Sequence, residues 1–559
     1  MMITERVSAA FKQVAKKRAQ EMARQRAAEE AEKRRQAARQ TINPLGSLLA
    51  SPVGYAGRLT SVHLKWPFGA SYRHQASCDQ RRKIDVGDRL LSNPARQSPR
   101  APTVPVEGGQ CGPRWAIVLS VGVFAVSAAI LVALDAPSAG QRWTMLDLQI
   151  YHWGGLLARH SGALYSSQFP HLLHYHLRFT YPPMAALVFA AVSAIPTAVL
   201  EWVVMVASIA ALVATLWLTW GALGYRRSAG RMAATLAAAG VALWLQPVQQ
   251  TLSFGQVNLI LMLVIVADLC LPDASWAKGV GVGLAAGFKL TPLIFIPYLL
   301  LTRRFRVAAV SLATFALTIA ASFVVLPAQS RRYWLSGLFL NSRRAGSNAG
   351  VSNQSLHGAL TRLLGSLPAA HPYWVATSVI IGIGGLMFAA WAARQAQEML
   401  GILTCALTGL MISPISWAHH WLWIAPALVV TADMALRAGA PAPESSPGRL
   451  AGWKLPPRSR WAAWVGVAAL AAPFFALPQS LVPRATIQDI QAHPAPLLTG
   501  NLYVITGLVL LCLIGLILLR PSRTETAGLI GELRESGERA GPGSAADGAA
   551  LGQKEVRPG

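Results

Sequence analysis

The stretch WAIVLSVGVFAVSAAILVALD, residues 115–135, carries no charge before its last residue. Coiled as a helix at about 1.5 Å per residue, such a run crosses the ~30 Å hydrocarbon layer of a bilayer. Comparable apolar runs follow at roughly 183–199, 201–221, 232–248, 257–271, 279–300, 307–326, 373–393, 400–414, 417–436, 461–478 and 501–519. The pattern predicts an all-α polytopic membrane protein of about twelve transmembrane helices. Composition agrees: 53% of the 559 residues are hydrophobic and 13% charged, about half the charged share of a soluble domain, and the mean hydropathy is +0.39.

Outside the apolar region the chain changes character. Residues 1–112 form a basic leader, helix-forming at KKRAQEMARQRAAEEAEKRRQAARQ (16–40) and rich in Pro, Gly, Ser and Arg from 41 onward, a composition expected to be disordered. Residues 113–520 are the membrane domain, and 521–559 read as a disordered cytoplasmic tail. Much of the +26 net charge lies in the leader. Lys and Arg beside membrane spans hold loops in the cytoplasm and attract anionic lipid, and no nucleic-acid-binding motif accompanies them. The five cysteines show no CxxC or metal-ligand spacing.

With the leader inside, counting spans places Arg303 to Arg306, the 437–460 loop and Arg520 in the cytoplasm, as the positive-inside rule requires. The same count puts Arg226, Arg227, Arg231 and the arginines of 331–344 outside, against that rule. It also brings the loops near 136–182 and 327–372 and the SPISWAHH turn (413–420) to one outer face, where an active site is expected.

Asp135, Asp147, Asp273 and Asp489 are the acids this count assigns to the outer face. Asp147 stands apart. In TMLDLQIYHWGG (144–155) it lies four residues from both Trp143 and Tyr151, on one helix face, where aromatic rings stack on a pyranose and a carboxylate takes a hydroxyl proton. An interfacial aromatic belt with a solvated acid is the other reading. Phe179-Thr180-Tyr181-Pro182-Pro183 marks a helix start. Ser253-Phe254-Gly255-Gln256-Val257-Asn258 and Gly287-Phe288-Lys289-Leu290-Thr291-Pro292 follow. Lys289 inside an apolar run is a site candidate, or else a structural lysine bonded to carbonyls that Pro292 frees. Asn353-Gln354-Ser355 lies downstream of Arg331, Arg332, Arg343 and Arg344, whose guanidinium forks suit phosphate. His419 and His420, beside Trp417, can donate to a phosphate; as neighbours they make a poor metal pair, and no metal site is expected.

In order, an Asp followed by Tyr, Tyr-Pro-Pro, Gly-Gln-x-Asn, Lys-x-Thr-Pro, Asn-Gln-Ser and Ser-Pro-x-Ser-Trp-x-His-His resemble glycosyltransferase family 87, the actinobacterial polyprenyl-phosphate-mannose-dependent α-mannosyltransferases of the GT-C class. The resemblance runs from about Trp115 to Arg520. It implies a GT-C-like bundle in the cell membrane with extracytoplasmic loops forming the active site. It also implies a polyprenyl-phosphate-mannose donor, a mannosylated lipid or lipoglycan acceptor, and no cofactor. Inverting transfer, taken as α-(1→2), would use Asp147 as base. His419, His420, Arg331, Arg332 and Lys289 would serve the donor phosphate. Trp143, Tyr151, Tyr181, Gln256, Asn258, Asn353, Gln354 and Trp417 would contact sugar or acceptor. A GT-C enzyme for another polyprenyl-phosphate sugar, and a polytopic transporter or flippase centred on Lys289, are the alternatives; the latter lacks an internal repeat.

Overall fold

The computed structural model describes residues 114–135, 144–160, 163–166, 177–438, 458–476, 478–482, 490–491 and 493–519. The leader, the C-terminal tail, Trp143, Asp489 and the histidines at 171, 174 and 176 lie outside them. Among the described residues the regular structure is helical, with one isolated β-bridge between Asn353 and Trp417.

In chain order the longer helices are α1 (Arg114–Asp135), α2 (Leu146–Arg159), α3 (Pro183–Val192), α4 (Thr197–Ala222), α5 (Ala229–Ala242), α6 (Gln246–Ser253), α7 (Asn258–Leu269), α8 (Val280–Phe288) and α9 (Phe295–Leu301). They continue as α10 (Phe305–Val325), α11 (Leu356–Leu364), α12 (Leu367–Arg394), α13 (Glu398–Ile412), α14 (Ile424–Arg437), α15 (Arg458–Ala471), α16 (Pro494–Gly500) and α17 (Leu502–Leu519).

Five of these, α1, α4, α10, α12 and α17, are long and apolar enough to cross a bilayer, and α5 with α6, bent by 77°, adds a sixth. The chain is a multi-pass membrane protein. The expected twelve full-length spans resolve differently, because several apolar runs are interrupted by helix-breaking chemistry. The run near 183–199 stops at Ser193 and restarts after Pro196, and that near 279–300 breaks at Lys289, whose backbone is extended (φ −146°, ψ 129°), before Pro292. Apolar side chains on the long helices face outward: along α12, Val375, Val379, Ile380, Ile383 and Met387 are exposed, as a lipid-facing stripe requires.

The ends of the bundle correct the span-by-span topology. Tyr225 donates to Asp433 at 2.8 Å and Arg437 donates to the Leu223 carbonyl at 2.9 Å, so the turn holding Arg226 and Arg227 shares an end with Arg437. Arg304 lies 3.3 Å from Asp273, so Asp273 sits with the arginines of 303–306, not opposite them. The parity slips at the run near 183–199, which breaks between Ser193 and Pro196 and is not one full crossing, and it is restored at the run near 279–300, which breaks at Lys289. The turn connecting the runs at 232–248 and 257–271, Ser253 to Asn258, docks on the first turn of α2 beside Asp147. Arg226, Arg227 and Arg231 then stand at the same end as Arg437, which removes their part of the conflict with the positive-inside rule and leaves that of the arginines of 331–344.

Candidate active site

The amide groups that open a helix have no partner within it. At α2 they find partners in another helix: Met145 N–H donates to Ser253 O at 3.0 Å, and Asp147 and Leu148 N–H donate to Phe254 O at 3.0 and 3.2 Å. The C-terminal carbonyls of α6 therefore seat the N-terminus of α2, and Asp147 rides on this joint. Gly255 makes the joint possible. Its φ is +65°, and a β-carbon there would stand 2.6 Å from Leu148 Cβ. Met145, just before Asp147, adopts a left-handed backbone (φ 42°) that few non-glycine residues take.

Turning at Gly255 delivers Gln256 to the acid, its Nε2 donating to Asp147 Oδ2 at 2.6 Å. The tyrosine hydroxyls of residues 151 and 181 lie 2.7 Å apart and within 2.7 and 3.2 Å of Gln256 Oε1. A phenol can only donate to a carbonyl oxygen, so the pair fixes which end of the amide faces Asp147. The described residues give Oδ1 no hydrogen-bond partner, leaving that oxygen for a ligand. Burial pushes the Asp147 carboxyl up to about 6, against the Gln256 hydrogen bond and the Lys289 charge, both of which lower it.

Asp147 lines a cavity of about 420 Å³ with Leu146, Leu177, Gln250, Phe254, Ala345, Val351, Ser352, Trp417, Ala418, His419 and Val482. Residues from the loops near 136–182 and 327–372 and from the SPISWAHH turn thus meet around one space, the convergence expected from sequence. His419 is buried, packs edge-on to Phe254 at 5.6 Å, and its Nε2 has no partner among the described residues.

The other candidates occupy distinct places. Lys289 donates to Asn258 Oδ1 at 2.8 Å and lies 3.1 Å from His420 Nε2, 5.5 Å from the Tyr181 ring centroid. Those partners are side chains, not the carbonyls freed by Pro292. Lys289, His420 and Asn258 line a smaller neighbouring cavity of about 70 Å³. Asn353 and Gln354 are fully buried and turned away from the ligand space. Asn353 Oδ1 accepts from Ser416 N–H at 2.9 Å; Gln354 Nε2 donates to Gly500 O at 2.7 Å and its Oε1 accepts from Tyr503 N–H at 3.1 Å. They zip the 348–355 loop to the SPISW turn, and their neighbour Ser352 reaches the cavity instead. Arg331 and Arg332 are exposed on a turn, and neither lines the cavity.

Arg362, not singled out from sequence, is a hub of this loop. Fully buried, it donates to Asn501 Oδ1 at 3.0 and 2.7 Å, to Gly350 O at 2.8 Å and to Asn353 O at 2.9 Å. An arginine on an amphipathic helix carries no sequence mark of such a role.

Known proteins resemble the chain. A sequence model of glycosyltransferase family 87 matches residues 179–414. A polyprenol-phosphate-mannose-dependent alpha-(1-2)-phosphatidylinositol pentamannoside mannosyltransferase of Mycobacterium tuberculosis is 34% identical over 339 residues, 58% of this chain and 75% of that protein. Its namesake in Mycolicibacterium smegmatis is 37% identical over 51% of this chain and 68% of that protein. A polyprenol-phosphate-mannose-dependent alpha-(1-2)-phosphatidylinositol mannoside mannosyltransferase of Mycobacterium tuberculosis is 33% identical over 51% and 69%. With a match spanning three quarters of one such relative and the family's own segment running from Phe179 through Lys289 to Pro414, the chain belongs to glycosyltransferase family 87.

Proposed function

We propose that this glycosyltransferase moves mannose from a polyprenyl-phosphate-mannose donor to a mannosylated phosphatidylinositol lipid or lipoglycan, at the extracytoplasmic face, making an α-(1→2) bond with inversion. The relatives' names supply donor, linkage and acceptor class. The observation that carries the chemistry is the half-buried Asp147, held through Oδ2 and open through Oδ1 on a cavity of about 420 Å³.

The acceptor hydroxyl gives its proton to Asp147 Oδ1 while its oxygen forms a bond to the anomeric carbon. The bond from that carbon to the phosphate oxygen breaks, and its electron pair leaves on the polyprenyl phosphate. A β donor becomes an α product. An elevated carboxyl pKa makes Asp147 a stronger base while leaving it ionised near neutrality. His419 Nε2, without a partner among the described residues, and the cations of the outer loops oppose the charge that develops on the leaving phosphate. Lys289, held by Asn258 and His420, adds positive potential from behind Tyr181.

The test is incorporation of labelled mannose from polyprenyl-phosphate mannose into phosphatidylinositol mannosides by wild type and Asp147→Asn. Removing a general base costs about 10²- to 10⁴-fold, so the variant should bind donor yet transfer almost nothing. Turnover within tenfold of wild type would rule out Asp147 as the base. Methylation analysis of the product reads the linkage.

A further inference from the structure

Three arginines from separate segments gather beside the Asp147 cavity. Arg344 Nη2 donates to Tyr165 O at 2.8 Å and to Phe179 O at 3.2 Å, and its guanidinium stands 6.0 Å from the Tyr165 ring centroid. Arg178 directly precedes Phe179. Arg332 directly precedes Tyr333, whose ring stacks on Tyr165 with centroids 5.3 Å apart. Burial first, then the charges of Arg178 and Arg332, pull the Arg344 pKa below its usual range. No carboxylate lies within ion-pair distance of any of the three among the described residues. Like charges converge here without an acid to hold them together, on a floor of buried aromatic rings.

Two further features describe what would neutralise them. Leu177 and Ala345, chain neighbours of Arg178 and Arg344, line the cavity that holds Asp147, so these two arginines sit about one residue step, ~3.8 Å along the chain, from its wall; Arg332 joins them through the Tyr333–Tyr165 stack. In the segments flanking Arg332, Val324, Val325, Leu335 and Leu340 are strongly exposed apolar side chains. A ligand that fits is an anion joined to an apolar chain on one side and to the reacting sugar on the other. In the donor lipid the phosphate is bonded directly to the anomeric carbon. In a mannosylated phosphatidylinositol the phosphate is separated from the acceptor hydroxyl by the inositol and mannose rings.

We propose that Arg178, Arg332 and Arg344 form the subsite for the phosphate of the donor lipid, gripping it at the mouth of the cavity with the sugar directed toward Asp147. The assignment rests on the transfer reaction proposed above for its ligand. It adds Arg178 to the arginines whose forks suit phosphate in the sequence, and assigns Arg344 and Arg332 to the donor.

Full-length protein in nanodiscs, with Arg178→Gln, Arg332→Gln and their double variant, tests this. Neither side chain carries a hydrogen bond to the described residues, so charge can be removed without unpicking the fold; Arg344→Lys, keeping charge but not the fork, is the fourth variant. In the double variant the donor KM should rise tenfold or more, and binding of polyprenyl phosphate, measured directly with no turnover, should weaken by a similar factor. The acceptor KM should stay within twofold. Donor KM and polyprenyl phosphate binding both within twofold of wild type would overturn the subsite, and a rise confined to acceptor KM would move these arginines to the acceptor's phosphate. The binding arm separates the two readings. Wild type that binds polyprenyl phosphate through these arginines but transfers no mannose keeps the subsite and refutes the reaction. Transfer of mannose with the variants unaffected keeps the reaction and refutes the subsite.

Discussion

Gln256→Met is the perturbation that most directly tests the geometry around the base. Methionine keeps the length of glutamine but cannot donate to Asp147 Oδ2, where Gln256 Nε2 now stands at 2.6 Å. A hydrogen bond to an ionised group contributes about 1.5–3 kcal/mol, and ~1.4 kcal/mol corresponds to one pH unit. Asp147 titrates near 6 with that bond in place. The sign follows: Gln256 favours the charged carboxylate, so its loss raises the pKa, by about one to two units. Wild-type kcat/KM should rise through an acidic limb centred near pH 6, with about nine-tenths of the base ionised at pH 7. In the variant the limb moves to roughly 7–8, leaving about a tenth to a half ionised at pH 7. Transfer at pH 7 then drops about two- to tenfold from ionisation alone and recovers toward pH 9. The assay is a pH series of kcat/KM with saturating acceptor and a melting curve to check folding. A loss equal at every pH would refute the reasoning and return Gln256 to the sugar-contact role expected from sequence.

Other outcomes follow from the same structure. Gly255→Ala places a β-carbon 2.6 Å from Leu148 Cβ at a φ of +65°, so the α2–α6 joint should shift and transfer fall tenfold or more. Gly122→Ala, with nothing within 4 Å, should leave the rate unchanged. Arg362→Met orphans Asn501 Oδ1 and two loop carbonyls, a loss of about 2–3 kcal/mol; a thermal melt should show it, and an unaltered melting temperature would deny the hub role. Excess chelator should leave transfer within twofold, because a monophosphate leaving group can be met by fixed cations; loss restored by Mg²⁺ or Mn²⁺ would contradict this.

What sequence could and could not reveal turns on the range of each interaction. Gly255, Gln256 and Asn258 stand together in one hexapeptide, and each residue has a separate partner: Leu148 at close approach, Asp147 by hydrogen bond, and Lys289 by hydrogen bond. The residue types were legible because a turn glycine, an amide beside an acid and a lysine in an apolar run each announce unusual chemistry. Their pairing was not, because partners 31 to 109 positions away leave no trace in local spacing. Asn353 and Gln354 show the opposite failure. Amides near arginines read as ligand groups, yet their hydrogen-bonding capacity is taken up by Ser416, Gly500 and Tyr503 backbone.

The topology failed for a different physical reason, breaks within apolar runs, and one such break also builds the site. Hydropathy measures how apolar a run is; it does not distinguish a helix that crosses from one that bends and returns. The runs at 232–248 and 257–271 satisfy hydropathy equally well in either state, but only the bent arrangement of α5 and α6 brings the Ser253 to Asn258 turn onto α2. Such a turn leaves backbone carbonyls unpaired, which lipid does not tolerate unless protein satisfies them. Ser253 and Phe254 carbonyls are satisfied by the first amides of α2, whose own donors would otherwise be orphaned. The broken span and the short α2 helix therefore stabilise one another, and the base is held where those two deficits cancel. A full-length crossing at 232–248 would need no such partner, and Asp147 would lose its seat. The bend that hydropathy does not register is thus what holds the base.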